Sequence, residues 1–254
     1  MIVFITGATA GIGKASAEIF AKNGYDLVIT GRREERLKSL AKELTSAYKI
    51  KVHTLCFDVR KLDEVKTNVA SLPAEFKNID ILLNNAGLSA GLSTLQDGST
   101  DDWDVMIDTN IKGLLYITRQ ISEGMIARKK GHIINMGSLA GKEVYPNGNV
   151  YCATKFAVDA LSKAMRIDML QHGIKVSSIN PGMVETEFSI VRFHGDEEKA
   201  KKVYLGLQPL VAEDIAETIF WVASRPAHVN INDVVITPTA QANTTLSVRK
   251  QVKY

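Results

Sequence analysis

A tyrosine and a lysine stand four positions apart, at Tyr151 and Lys155, where a stretch with helical periodicity begins. Residues i and i+4 share one face of a helix, so the ammonium would lie beside the phenol. A tyrosine with an ordinary pKa of ~10 is a poor base near neutral pH. A positive charge ~4 Å away, worth ~4 kcal/mol at an effective dielectric constant of ~20, would bring that pKa down toward ~7. Such a tyrosine can exchange a proton with an alcohol or a carbonyl.

A second hydroxyl, that of Ser138, follows the strand-like segment 132–136. Ligands of open α/β sheets bind at the carboxyl ends of the strands, so Ser138 is expected at a ligand-binding edge. Taken alone, a Tyr-x-x-x-Lys pair is most often two surface neighbours on a helix. A single serine is most often a cap or a turn residue. The chemistry therefore depends on the elements that bring the three side chains together.

A glycine-rich turn, Thr6–Gly13, separates the first strand-like segment from a helical pattern. Gly7 permits a tight turn, and Gly11 and Gly13 let the backbone and the helix approach a diphosphate closely. The N-terminus of the helix would supply free N–H groups and a partial positive charge for that anion. The spacing Gly-x-x-x-Gly-x-Gly differs from the Gly-x-Gly-x-x-Gly fingerprint, but its position between a strand and a helix predicts nucleotide binding.

The second strand-like segment ends in Gly31-Arg32-Arg33, where an enzyme that prefers NAD places a carboxylate for the ribose 2′-hydroxyl. A guanidinium holds a 2′-phosphate through charge-assisted, forked hydrogen bonds. Arginines at the start of a helix would otherwise oppose the helix dipole. Glu34 and Glu35 weigh in the other direction. On balance, Arg32 and Arg33 predict NADP as the cofactor.

Composition narrows the class of protein. The chain has 254 residues, of which 45% are hydrophobic, and a net charge of +3. That charge is too small to indicate a nucleic-acid or membrane partner. Cys56, Cys152 and the five histidines show no metal-ligand spacing, so no metal is expected. No apolar stretch is long enough to span a bilayer and no signal peptide precedes the first strand, which predicts a cytoplasmic protein.

Short β-branched segments alternate along the chain with longer amphipathic segments. The predicted strands are 2–5, 26–30, 51–57, 79–83, 132–136, 174–179 and 233–236. The predicted helices are 11–23, 33–47, 61–71, 101–129, 150–172 and 211–224. Parallel neighbours need crossover connections, which the helices provide. The pattern predicts an α/β, Rossmann-type, doubly wound parallel sheet of about seven strands with helices on both faces.

No linker, repeat or low-complexity segment interrupts this alternation, so residues 1–254 are predicted to form a single domain. Two regions stand apart from the pattern. The polar segment 186–210 lies where a substrate lid would be useful, and the tail 238–254 is too polar to belong to the core.

Together these residues resemble the short-chain dehydrogenase/reductase family over essentially the whole chain. The matching motifs are Thr6–Gly13, Asn84-Asn85-Ala86-Gly87, Asp108-Thr109-Asn110, the set Ser138/Tyr151/Lys155, and Pro181-Gly182-Met183-Val184-Glu185-Thr186. The resemblance implies Asn110, Ser138, Tyr151 and Lys155 as catalytic residues. Tyr151 would be the general acid/base, Ser138 would steady the substrate oxygen, and Asn110 would hold a water that relays protons to Lys155.

The resemblance also implies a set of cofactor contacts. Besides Tyr151 and Lys155, these are Gly7, Ala8, Thr9, Ala10, Gly11, Ile12, Arg32, Arg33, Asp58, Val59, Asn85, Pro181, Gly182, Met183, Val184 and Thr186. Asp58 and Val59 would contact the adenine, and the last five would line the nicotinamide. Some NADP-dependent members carry a basic residue inside the glycine turn, where this chain has Ala10.

Further stretches resemble one subgroup, the NADP-dependent 3-hydroxy acid (serine or allo-threonine) dehydrogenases. They are Tyr145-Pro146, residues 151–158, residues 184–189 and Val191-Arg192-Phe193. The subgroup implies a homotetramer, with the tail as an intersubunit arm, and small 3-hydroxy acids as substrates. Arg192, flanked by apolar residues, is the candidate clamp for a substrate carboxylate, because its planar fork matches that group. An exposed arginine on a lid helix is the alternative.

Two other functions compete with this interpretation. A 3-oxoacyl reductase or a general carbonyl reductase would use the same catalytic residues on another substrate. A non-catalytic NADP sensor would use the same fold, but such proteins tend to lose the tyrosine–lysine pair, which this chain retains at Tyr151 and Lys155.

Overall fold

A computed structural model describes residues 1–250, and its centre is a parallel sheet. Its strands are β1 (Ile2–Ile5), β2 (Asp26–Gly31), β3 (Val52–Cys56), β4 (Ile81–Asn84), β5 (Gly131–Met136), β6 (Ile174–Pro181) and β7 (Asp233–Ile236). They are ordered β3-β2-β1-β4-β5-β6-β7, and every neighbouring pair is parallel. The predicted fold class is therefore confirmed.

Helices cover both faces of this sheet. They are α1 (Gly11–Lys22), α2 (Glu34–Tyr48), α3 (Leu62–Ala70), α4 (Thr100–Ile107), α5 (Leu114–Arg128), α6 (Asn149–Asp168), α7 (Phe188–Arg192), α8 (Glu197–Lys202) and α9 (Ala212–Ala223). The side chains of β1 show how the two layers arise, because successive strand residues point to opposite faces. Val3 and Ile5 pack in the cluster that contains α1, α2 and α9, whereas Phe4 packs with α3, α5 and α6.

The sequence predicts a single helix over 101–129, and this prediction is wrong in one respect. A π-helical segment, Asp108–Gly113, divides it into α4 and α5. The wider turn carries Asn110 toward the loop after β4, where its side chain accepts a hydrogen bond from the Leu88 N–H (2.9 Å) and donates one to the Leu88 carbonyl (2.8 Å). Such π-bulges often occur at functional sites. Hydrophobic periodicity does not detect them, because the flanking turns keep the helical period.

The order of the strands places a crevice between β1 and β4, where the connections diverge to opposite sides. Thr6 and Asn85 join the two loops above it. The Thr6 hydroxyl accepts hydrogen bonds from the N–H groups of Asn85 (3.0 Å) and Ala86 (2.9 Å), and the Asn85 amide donates to the Thr6 carbonyl (2.8 Å). Ligands of open α/β sheets bind at this switch point.

Segment 186–210 forms α7 and α8 and contains no regular strand; its end, Leu210, makes an isolated bridge with Val184. We call residues 186–210 the lid. The tail runs from Pro238, and Gln241 and Ser247 form an isolated antiparallel bridge within it. Its last four residues, 251–254, lie outside the described residues. Among residues 1–250, no helix is long and apolar enough to cross a membrane.

His132 on β5 generates a prediction about acid stability. Its side chain is buried, with Nε2 2.8 Å from the Ser177 hydroxyl and with no partner for Nδ1 in the described part of the chain. Burial, reinforced by the charge of Lys175, lowers its pKa from 6.5 to about 3. Below pH ~6.5, His132 is therefore protonated in the unfolded chain but stays neutral in the folded chain. Stability should fall with a slope of up to ~1.4 kcal/mol per pH unit as the pH drops from ~6.5 toward ~3.

His132→Gln removes this titration, so its free energy of unfolding should fall less steeply with acid than that of the unmodified protein. Urea unfolding at pH 8, 6.5, 5.5 and 4.5 measures the two slopes. The exposed His228 provides the control variant, His228→Gln, which should keep the original slope. Parallel pH profiles for His132→Gln and the unmodified protein would contradict this account.

Candidate active site

The turn after β1 has the geometry of an anion-binding cradle. Gly7 and Gly11 adopt positive φ angles of 68° and 50°. A Cβ at Gly13 would collide with the Gly7 carbonyl and lie 2.5 Å from the Asn85 amide, so the close approach of helix and turn requires glycine there. Ala10 at the N-cap of α1 offers no side-chain cap, and the first turn has no acidic residue. The N–H groups at the start of α1 are thus available to a diphosphate.

A cavity of about 680 Å³ runs along the carboxyl edge of the sheet from this turn to the lid. Nearly all the predicted site residues line it. They are Gly7, Thr9, Ala10, Gly11, Ile12, Arg32, Arg33, Asp58, Val59, Asn85, Ser138, Tyr151, Lys155, Pro181, Gly182, Met183, Val184, Thr186 and Arg192. Two do not. Ala8 is fully buried in the core, its N–H donating to the Thr30 carbonyl (3.0 Å), and Asn110 lies one layer behind the wall.

Charged side chains gather where β2 and β3 end. Arg33 donates two hydrogen bonds to the Thr9 hydroxyl, from Nε (3.1 Å) and Nη2 (2.8 Å). Arg60 clamps both oxygens of Asp58, with Nε at 3.0 and 2.9 Å. Burial raises the pKa of Asp58, but the hydrogen bonds and charge of Arg60, together with the charge of Arg32, hold it below its ordinary value. Asp58 is therefore an ionised acceptor at neutral pH.

Tyr151 is the centre of the arrangement at the end of β5. It is 7% exposed, and its ring meets the edge of Phe188 from the lid at 5.7 Å between centroids. Burial raises the pKa of Tyr151 above its ordinary value, and the charge of Arg192 and a hydrogen bond with Ser138 offset only part of that rise, so the lowered pKa that the sequence predicted from the neighbouring Lys155 is not observed. The guanidinium carbon of Arg192 lies 5.4 Å from the centre of the tyrosine ring. Arg192, which the sequence predicts to bind the substrate carboxylate, therefore also favours the ionised form of the Tyr151 phenol.

Lys155 is equally buried, at 7% exposure. Its ammonium donates to the Met136 carbonyl at the end of β5 (2.8 Å) and lies 5.9 Å from the centre of the Tyr151 ring. Burial lowers its pKa from 10.5 to about 8. The predicted sharing of one helix face is confirmed, but Lys155 is tied to β5 as well as facing the phenol.

Asn110 stands behind Lys155. The side-chain amide of Asn110 donates to the Thr154 hydroxyl (3.0 Å), which links the π-helical segment to α6. A Cβ at Gly87 would lie 3.3 Å from Asn110 Oδ1 and 3.6 Å from Lys155 Nζ, so both polar groups converge on this glycine. This is the geometry in which a small polar molecule can connect the two side chains.

Arg192 occupies the far end of the cavity. It donates from Nε to the Ser89 hydroxyl (3.1 Å) and from Nη2 to the Tyr145 hydroxyl (3.2 Å), and its guanidinium carbon lies 5.0 Å from the Phe188 ring centre. Burial raises the pKa of Tyr145, which keeps its hydroxyl protonated. No carboxylate within residues 1–250 pairs with Arg192. Both of its side-chain partners are neutral hydroxyls.

Sequence reasoning missed several of these neighbours. Ser89 carried no signal, because it is 103 positions from Arg192 in the chain. Tyr145 contributes to the sequence patterns only as part of the resembling stretch Tyr145-Pro146. Arg36, which binds Glu187 of the lid (2.8 Å), does have a signal in the sequence, because it follows Arg33 by one helical turn.

The tail folds back onto the lid of its own chain. Arg249 donates to the carbonyls of Leu205 (2.8 Å) and Val203 (3.0 Å), and the Gln241 side chain accepts a hydrogen bond from the Met183 N–H (2.8 Å). The sequence suggested an intersubunit arm for this segment. Gln241, Thr244 and Arg249 of the tail also line the cavity, and the intersubunit arm stays a prediction.

The fold and this arrangement match a known family. The family model described as short chain dehydrogenase matches residues 1–196. The chain belongs to this family of oxidoreductases, which confirms the resemblance seen in the motifs.

More specific relatives narrow the comparison. The chain is 49% identical over 251 residues to the NADP-dependent 3-hydroxy acid dehydrogenase YdfG of Salmonella typhi, covering 98% of this chain and 100% of the relative. It is 44% identical over 240 residues to the serine 3-dehydrogenase of Agrobacterium fabrum, covering 94% of each. Its fold is similar to the closed form of serine dehydrogenase complexed with NADP+, with a TM-score of 0.92, 46% identity and coverage of 99% and 100%.

Tyr151→Phe tests the site directly. The ring would still pack against Phe188, but the exchangeable proton would be lost, so we expect kcat to fall by at least about 10²–10⁴-fold. NADPH binding, followed by the fluorescence of the reduced nicotinamide, should stay within about twofold. The exposed Tyr48 gives the matched control, Tyr48→Phe, which should keep full activity. Substantial turnover by Tyr151→Phe would point to another acid.

Proposed function

We propose that this protein is an NADP-dependent dehydrogenase that interconverts a hydroxyl and a carbonyl on small 3-hydroxy acids, such as serine, allo-threonine or 3-hydroxypropionate-like compounds. The observation that carries the proposal is the position of Arg192. A guanidinium with no carboxylate partner among residues 1–250 lies 5.4 Å from the ring of a buried tyrosine, in the same cavity as Ser138 and Lys155. The names of the similar proteins support the same substrate class.

The cofactor fits the residues present. The cradle of the glycine turn suits a diphosphate, and Asp58 and Val59 suit an adenine at the end of β3. Pro181, Gly182, Met183, Val184 and Thr186 line the portion beside Tyr151, where a nicotinamide would lie. When bound, NADP+ supplies the acceptor for the hydride.

The side chains of the protein then handle the proton and the substrate. Tyr151 takes the proton of the substrate hydroxyl while the C–H bond breaks, and returns it in the reverse direction. Ser138 holds the substrate oxygen by a hydrogen bond. Lys155 favours the ionised phenol and holds the ribose of the cofactor, and Asn110 positions a water between Lys155 and solvent. Arg192 binds the substrate carboxylate with the donors that Ser89 and Tyr145 leave free.

We further propose that the chain is a single-domain protein that assembles as a cytoplasmic homotetramer, as in the resembling subgroup. Two exposed apolar side chains support assembly. Trp221 on α9 and Val235 on the edge strand β7 are 46% and 49% exposed. An edge strand with apolar side chains is a surface that proteins commonly cover. Sedimentation equilibrium measures the assembly state.

A substrate panel tests the activity. NADP+ reduction is followed with serine, allo-threonine, 3-hydroxyisobutyrate and 3-hydroxypropionate beside simple alcohols, and NADPH oxidation with a 3-oxoacyl thioester. We expect the 3-hydroxy acids to give the highest kcat/KM. Preference for the thioester would instead indicate a 3-oxoacyl reductase, and binding of NADPH without turnover on any substrate would indicate a sensor.

Cofactor preference is the second prediction of this proposal. Arg32 lines the cavity and donates no side-chain hydrogen bond to residues 1–250, so its charge is free for a 2′-phosphate. Arg32→Ala should lower kcat/KM for NADP+ by about 10–100-fold and leave NAD+ nearly unchanged. Lys42→Ala, on the exposed face of α2, removes the same charge from the helix that follows Arg32 and should change neither value. Equal kcat/KM for both cofactors in the unmodified protein would refute the preference.

Substrate recognition gives the third prediction. Arg192→Ala should raise KM for L-serine strongly and affect an uncharged alcohol much less, because only the former has a carboxylate to lose. Because Arg192 also lowers the pKa of Tyr151, the acidic limb of the oxidation profile should move to higher pH for both substrates. Lysine at this position should restore part of the serine KM, since a point charge lacks the fork. Equal losses of kcat/KM on charged and neutral substrates would show that Arg192 only supports the lid.

A further inference from the structure

A carboxylate from the lid lies between two arginines at the opposite end of the cavity. Glu187 accepts hydrogen bonds from Arg33 Nη1 at Oε2 and from Arg36 Nη1 at Oε1, both at 2.8 Å. These contacts join residues more than 150 positions apart in the chain. We call the three side chains the Glu187 bridge.

Two members of the bridge, Arg33 and Glu187, line the cavity. Arg33 is fixed from below by the Thr9 hydroxyl in the glycine turn, and Glu187 reaches it from above, at the N-cap of α7. Thr186 touches the same turn, since a Cβ at Gly11 would lie 3.3 Å from its side chain. The lid is therefore held to the cofactor turn at the point where a ribose would enter.

The two guanidinium groups form a site for an anion, and Glu187 already occupies it. Hydrogen bonds from Arg33, followed by those from Arg36 and the charges of both, lower the pKa of Glu187 against the effect of burial. The carboxylate is thus ionised at neutral pH. A phosphate monoester carries a charge of about −1.5 to −2 at pH 7 and needs the same N–H donors. Two anions that share two guanidinium groups repel each other.

We propose that Glu187 competes with the 2′-phosphate of NADP for Arg33 and Arg36. Binding of NADP exchanges the carboxylate of the lid for the phosphate, whereas NAD, which lacks the phosphate, leaves the bridge intact. Glu187 is thereby a specificity-determining residue that weakens the hold on the 2′-phosphate and links its arrival to the position of the lid. This inference rests on the proposed use of NADP.

The size of the effect follows from exposure. The side chains of Arg33, Arg36 and Glu187 are 42%, 50% and 44% exposed. Pairs this exposed are screened by water and salt, and their contribution is small. Loss of the competing carboxylate should therefore change affinity by about two- to tenfold.

Glu187→Gln tests the competition, because it removes the charge and keeps the shape. Isothermal titration measures the Kd of NADP+ and NAD+, and of the fragments 2′,5′-ADP and 5′-AMP, which isolate the phosphate from contacts of the nicotinamide. We expect Glu187→Gln to bind NADP+ and 2′,5′-ADP about two- to tenfold more tightly, with NAD+ and 5′-AMP within twofold. The gain should shrink at high salt.

Two further variants test this interpretation of Glu187→Gln. Glu198→Gln removes the same charge from α8 of the lid, where no ion pair involves it within residues 1–250, and should change no Kd. Arg36→Gln should weaken NADP+ and 2′,5′-ADP several-fold and spare NAD+, since the phosphate loses a donor. This second measurement stands even if Glu187→Gln is unstable.

Each result separates the two proposals. Glu187→Gln that changes NADP+ and NAD+ equally, or that weakens NADP+, overturns the competition and leaves the bridge as a support of the lid. If the unmodified protein binds NAD+ as tightly as NADP+, the proposed cofactor preference fails. If the unmodified protein prefers NADP+ and neither variant changes the ratio of the two Kd values, only the role of Glu187 fails.

Discussion

The buried ammonium of Lys155 constrains the elements around it. Lys155 has lost most of its water, and the Met136 carbonyl is its hydrogen-bond acceptor within the described chain. Burying an ammonium is costly unless it is paired or hydrogen-bonded, and the lowered pKa of Lys155 expresses that cost. The loop after β5 must therefore pass close to α6. Gly141 allows this, because a Cβ there would lie 2.6 Å from the Lys155 carbonyl. The contact fixes Ser138, on the same loop, relative to Tyr151 one turn before Lys155.

The phenol of Tyr151 is held between opposing electrostatic effects. Burial against Phe188 favours its neutral form, whereas Arg192 and the hydrogen bond with Ser138 favour the ionised form. Since Phe188 and Arg192 both lie on α7, one element of the lid supplies both the burial and the compensating charge. A carboxylate bound to Arg192 would neutralise part of that charge. The role proposed for Arg192 would therefore couple recognition of the substrate to the acidity of the tyrosine through one side chain.

The fold was predictable because it depends on local patterns. Apolar segments alternating with amphipathic ones indicate a parallel sheet, and parallel strands bring their carboxyl ends to one edge, so the glycine turn, Ser138 and Tyr151 had to meet. The π-helical segment at Asp108–Gly113 was not predictable, because the contacts that accompany it, two hydrogen bonds between Asn110 and the Leu88 backbone, join separate elements. The hydrogen-bond partners of Arg192 and Glu187 could not be predicted, for the same reason. Hydrogen bonds between residues 22 to 154 positions apart leave no period in the sequence.

The two ends of the cavity offer different surroundings to an anion, and at each end a side chain of the lid makes the difference. At the end near α2, its Glu187 supplies the anion that two arginines require. At the far end, its Arg192 is held by Ser89 and Tyr145, which orient the guanidinium without neutralising it. An anion arriving at the first site must displace a charge, whereas one arriving at the second meets an uncompensated cation. Uncompensated charge in a partly buried site strengthens attraction, because little water screens it. On the roles proposed for Glu187 and Arg192, the lid lowers affinity where a large cofactor has many other contacts, and raises it where a small acid has few.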